Sequence, residues 1–200
     1  MKNKNCYFDC FRELGLMFRN SAEELKNCFD KSDVFVLGET ALKTEKISYG
    51  AMQRETEISC RLSNEFLPPL DRGDILTLNR ALVRCICAVD DSCKSFMQMK
   101  SIKRNASLVK IADAVLKQSE IICSFTEDFS RSLKIKNAVQ TVSKVSGLMH
   151  GINNDYIKCV SGVSTAEFSA LCQTLGALKE CGCCADDAAW AIKGIIISSG

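Results

Sequence analysis

Two hundred residues, 46% hydrophobic and 25% charged, provide an ordinary globular composition with chain enough for one sizeable core or two small ones, which excludes a disordered polypeptide. Twenty-six basic residues against twenty-four acidic ones leave a net charge of +2, so no global field recruits nucleic acid or anionic lipid. The longest apolar runs, such as "VFVL" and "GIII", fall far short of the roughly 20 residues that cross a bilayer, which excludes a membrane-spanning chain.

Taken in chain order, the apolar positions repeat at three and four. Phe11, Leu14, Phe18, Ala22, Leu25 and Phe29 define a first helix that ends near the connector "KSDVFVLGE". A second helix is expected from about Thr40, with Ile47, Ala51, Ile58, Leu62 and Phe66 on one face, and it must stop at Pro68 and Pro69. A third opens at Asp74 or just before it and carries Ile75, Leu78, Leu82, Cys85, Val89, Cys93 and Phe96. Leu108, Ile111, Val115, Ile122, Phe125 and Phe129 mark a fourth, and Ile135, Val139, Val142, Val145, Met149, Ile152 and Tyr156 a fifth. After "SGVST", with Ser164 or Thr165 as cap, a sixth helix carries Phe168, Leu171, Leu175, Leu178, Ala185, Ala189, Ile192 and Ile196.

The third and sixth helices share a fingerprint. "ALVRCICAVDD" at 81–91 returns 96 positions later as "ALKECGCCADD" at 177–187, with six of eleven residues identical. The expected fold is therefore all-α: six long antiparallel helices in two tandem three-helix repeats, approximately 1–100 and 101–200, forming one elongated domain over 1–200.

At 100° per residue Cys85 lies in the apolar stripe, while Cys87 and Asp91 lie about 140° and 180° from Leu82. Cys85 and Cys87 therefore diverge, and a C-x-C metal site is excluded. Cys87 with Asp91, and Cys183 with Asp187, are spaced by four and share a face outside the stripe. Each pair reads either as thiolate and carboxylate ligands or as a small residue beside a solvated acid.

Other chemistry is sparse. His150, the single histidine, has no glutamate three positions before it and reads as a helix-surface residue. Glu55 stands near the stripe of the second helix and reads as an acid reaching solvent at the bundle edge. No nucleotide-binding or hydrolase motif occurs, so an enzyme is not expected. The "MKNKNCYFDCFRELG" start is broken by Asp9, Arg12 and Glu13, unlike a secretory signal, and the thirteen cysteines are an odd number in a chain that is not small. Both point to a cytoplasmic protein with reduced thiols, several of them in core positions.

The segment "NEFLPPLDRGDILTLNRAL" resembles a motif of PhoU-like phosphate-transport regulators that typically reads F-[IV]-T-P-[IL]-D-R-[ED]-D-I and leads into a helix. Phe66, Pro69, Leu70, Asp71, Arg72, Asp74 and Ile75 match it. The closing "ECGCCADDAAWAIKGII" is similar to the family's last helix, with Gly194, Ile195 and Ile196 at its G-[IV]-[IV] ending.

The resemblance implies a six-helix, two-repeat, non-enzymatic accessory or regulator of inorganic phosphate transport, of the branch that accompanies Pit-type permeases. It would be cytoplasmic or peripheral at the inner membrane, with a Pit-type phosphate permease or another membrane transporter component as partner. The family's metal signature, E/D-x-x-x-D on helix faces, is altered here. Ser48 and Met52, Val83 and Cys87, Ser146 and His150, and Lys179 and Cys183 stand at its positions, while Asp91, Glu180, Asp186 and Asp187 remain. That removes most hard oxygen ligands, so no cofactor is expected. Two alternatives stay open: a helical protein binding a divalent transition metal through Cys87, Asp91, Cys183 and Asp187, or a structural scaffold that self-associates as a homo-oligomer.

Overall fold

A computed structural model describes residues 5–31, 34–98, 106–127, 129, 134–160 and 168–198. They form α1 (Asn5–Lys31), α2 (Val34–Asn64), α3 (Arg72–Met97), α4 (Ala106–Glu127), α5 (Ile135–Val160) and α6 (Phe168–Ser198). Among the described residues there is no strand.

The predicted stripes are the buried faces over most of their length. All six stripe residues of α1 are buried, as are the seven of α3 and the six running from Leu108 to Phe129. The differences fall at helix ends. α2 begins at Val34 rather than Thr40, because the run predicted as connector contains no proline to stop a helix. Phe66 lies beyond the end of α2 and is 90% exposed, since the chain has already turned toward the two prolines. Ile135 and Val139 are about half exposed because α5 turns Ala138, Thr141 and Val142 inward instead. The "SGVST" break and its capping residues Ser164 and Thr165 lie outside the described residues.

Residue pairing fixes the directions of the helices. α1 runs antiparallel to α2, with Glu13 on Arg54 and Glu24 on Lys43, and antiparallel to α4, with Lys26 on Asp113. α2 and α3 are antiparallel through Thr44–Asp90 and Arg80–Glu55, and α5 and α6 through Ser146–Asp186 and Tyr156–Lys179. The most extensive helix pair is α3 with α6, followed by α1 with α4. These four helices form the interior, while α2 covers α1 and α3 and α5 covers α4 and α6. One continuous apolar cluster draws residues from all six helices.

At the centre of the α3–α6 seam the two fingerprint cysteines face each other. Cys181 Sγ donates to the carbonyl of Cys85 at 3.5 Å, and Cys85 Sγ donates to the carbonyl of Cys181 at 4.0 Å. Equivalent residues of the two repeats thus meet in a reciprocal contact. Burial pushes both thiols well above their ordinary range, so they act here as small core residues.

The end of α2 and the start of α3 are joined by side-chain hydrogen bonds. Asp71 caps α3, its carboxylate accepting from the backbone N–H of Gly73 at 2.8 Å and of Asp74 at 3.3 Å. Replacing Asp71 with Ala leaves those donors to water and is expected to cost about 1 kcal/mol. The melting temperature should fall by roughly 2–4 °C with helix content unchanged in a thermal denaturation series.

Candidate functional site

The matched motif residues gather at one end of the bundle. The guanidinium of Arg72 turns back over the last turn of α2, donating to the carbonyl of Leu62 at 2.6 Å and to that of Glu65. It thereby satisfies acceptors that the helix leaves unpaired. Asp74 accepts from Ser198 Oγ at 2.7 Å and so ties the start of α3 to the end of α6. Pro69 is half-buried, whereas Phe66 and Leu67 stand 90% and 79% exposed at the tip of the connector. Asp71, Arg72 and Asp74 are thus architectural, and their effect is to hold two adjacent apolar side chains in water.

The four candidate metal ligands fall where the helical wheels place them. Cys87 and Cys183 are half-buried, and Asp91 and Asp187 are exposed. Cys87 accepts from Ser48 Oγ at 3.4 Å, and Asp187 lies 4.0 Å from Arg84, whose other amino group pairs with Glu180. Burial raises the Cys183 thiol, with Glu180 adding to the effect. Among the described residues no three of His, Cys, Asp or Glu come together in a set that could hold a metal ion. His150 is exposed, and Glu55 is half-buried with Arg80 at 3.7 Å.

One acid escaped the sequence reading. Asp90 is a buried carboxylate of α3 that accepts from Thr44 Oγ1 at 3.1 Å and meets Lys94 Nζ at 2.9 Å. Lys94 also reaches Glu45 at 3.0 Å, so a single cation joins carboxylates of α2 and α3. Its proton is held more tightly than usual, first through the hydrogen bond to Asp90 and then through that to Glu45. In the other half, Asp186 accepts from Ser146 across α5 and α6. The repeated Asp-Asp pair at 90–91 and 186–187 thus contains one aspartate bonded to the neighbouring helix and one exposed aspartate in each half.

No protein-family model matches the chain. No curated protein matches it either. Among solved structures it is similar to a PhoU-like phosphate regulatory protein from Shewanella oneidensis MR-1, with a TM-score of 0.68 at 13% identity over 96% of this chain and 99% of that one. A second crystal structure of a PhoU-like protein from the same organism gives 0.68 at 14% identity over the same shares of the two chains. The chain has the PhoU-like all-α fold of six antiparallel helices in two three-helix repeats.

Proposed function

We propose that this protein is a non-catalytic accessory or regulator of inorganic phosphate transport that acts by protein contact, with a Pit-type permease or another membrane transporter component as its partner. The observation that carries the reading is the end-to-end likeness of the chain to a structure described as a PhoU-like phosphate regulatory protein. The absence, among the described residues, of any helix long and apolar enough to cross a membrane fits a partner that docks on a transporter rather than one that spans with it. The exposed Phe66 and Leu67 supply an apolar contact element held by the motif residues themselves.

The test is phosphate uptake in a strain lacking the protein, together with co-purification of the tagged protein from solubilised membranes. Uptake should change on deletion and return with the wild-type chain. Phe66→Ser with Leu67→Ser should lower recovery of the permease several-fold while leaving the melting temperature within about 1 °C, because both side chains are already in water. Uptake that is indifferent to deletion would overturn the proposal.

A further inference from the structure

A cavity of about 490 Å³ opens between the start of α1 and the end of α2, beside the connector that follows α2. Two thiols, two guanidinium groups and three carboxylates line it: Cys6 and Cys10, Arg54 and Arg61, and Asp9, Glu13 and Glu57. Arg54 is held by two carboxylates, Glu13 at 2.9 Å and Glu57 at 2.8 Å. Arg61 instead directs Nη1 at the sulfur of Cys6, 2.8 Å away, while its Nε stands 4.0 Å from Glu65.

Cys6 occupies the first turn of α1 and is half-buried, so its sulfur is reachable from the cavity. Cys10 lies one turn deeper, is 6% exposed, and donates to Asn79 Oδ1 at 3.8 Å. The two thiols therefore differ in access while sharing one wall. A guanidinium directed at a sulfur on a cavity wall is a setting in which thiols act as nucleophiles.

We propose that Cys6 is a hydroperoxide-reactive thiol whose oxidised form is resolved by Cys10 as a disulfide within α1. In the first step the Cys6 sulfur attacks the near oxygen of hydrogen peroxide and the O–O bond breaks. This gives a sulfenic acid on Cys6 and one water. In the second step the Cys10 sulfur displaces the sulfenic hydroxyl, forming the S–S bond and releasing a second water with the Cys10 proton. Two thiols lose two electrons and two protons, and the peroxide is reduced to two waters.

The geometry sets a condition on the second step. Side chains four apart on a helix have Cβ atoms about 5–6 Å apart, whereas a disulfide requires about 3.5–4.5 Å. The turn from Cys6 to Cys10 must therefore loosen, which also brings the Cys10 thiol out of the burial that holds its proton.

The test is oxidation of the full chain by equimolar hydrogen peroxide after removal of reductant, followed by peptide mapping without reduction. Cys60, the exposed thiol, serves as the internal comparison. The expected result is a Cys6–Cys10 disulfide in the wild-type chain, formed at least ten-fold faster than any product on Cys60. In Cys10→Ser, a Cys6 sulfenic acid should be trapped by dimedone. Arg61→Ala should slow loss of the Cys6 thiol by about ten-fold, and Arg61→Lys should restore most of the rate. Oxidation distributed according to exposure, with Cys60 ahead of Cys6, overturns the proposal. So does a stable Cys6 sulfenic acid in the wild-type chain without a bond to Cys10.

Discussion

The melting temperature is expected to fall by roughly 10–20 °C between pH 7 and pH 10, measured with a phosphine reductant present so that oxidation plays no part. Five buried thiols are responsible. Burial pushes Cys10 and Cys184 up to about 12, and it raises Cys85 and Cys181 well above their ordinary 9.0. Cys93 is raised by its hydrogen bond with Cys28 and by burial. A thiol whose value is higher in the folded chain keeps its proton longer there than in the unfolded chain. Its contribution is therefore complete below the unfolded value and is lost as pH rises through 9 toward the folded value.

Each thiol gives up about 1 kcal/mol per pH unit in that window, so five remove on the order of 5 kcal/mol by pH 10. That is a large fraction of the 5–15 kcal/mol that typically holds a domain together. Tyr7, raised to about 12 by burial and its hydrogen bond to Glu65, extends the loss above its ordinary 10.0. Cys85→Ala with Cys181→Ala should start less stable at neutral pH but show a visibly flatter pH dependence. A melting temperature that stays level from pH 8 to pH 10 would falsify this account of the core.

Gly15→Val should be the most damaging single substitution at the α1–α4 contact, costing about 3 kcal/mol or more and roughly 10 °C in melting temperature. A Cβ at Gly15 would run into the Thr126 hydroxyl and stand 3.3 Å from the Cα of Cys123. The hydroxyl is engaged, donating to the carbonyl of Cys123 at 3.0 Å, and the Cα belongs to the helix itself. Neither can yield without moving α4. The milder Gly15→Ala gains up to about 1 kcal/mol in helix propensity but should still lose stability overall. Adding Thr126→Ala removes the nearest obstruction and should recover part of that loss. Urea denaturation of the four chains gives the coupling, and strict additivity would mean that the contact does not limit the approach of the helices.

Helix number, order and burial were legible because the apolar period states them: Leu82, Cys85 and Val89 could be assigned to one face from spacing alone, and all three are fully buried. The relation between the halves was legible through the fingerprint repeated at 81 and 177. The start of α2 was less so, because Val34 lies where local preference competes weakly with tertiary packing. Asp90 was hidden for a related reason. Its identity is shared with Asp186, but an aspartate is ordinarily assigned to solvent, and its burial is made tolerable by Thr44 arriving from α2 together with Lys94 one turn on. The Cys6–Arg61 contact joins residues 55 positions apart on helices whose pairing no local pattern specifies.

The seam between α3 and α6 also discriminates among ways of assembling the halves. Arg84 and Glu180 occupy corresponding places on the two helices and bond each other. Two copies of the first half would set arginine against arginine, and two copies of the second would oppose glutamates. Unlike halves thus fit each other better than like ones, and a covalent tether between them supplies the mismatched partner at high local concentration.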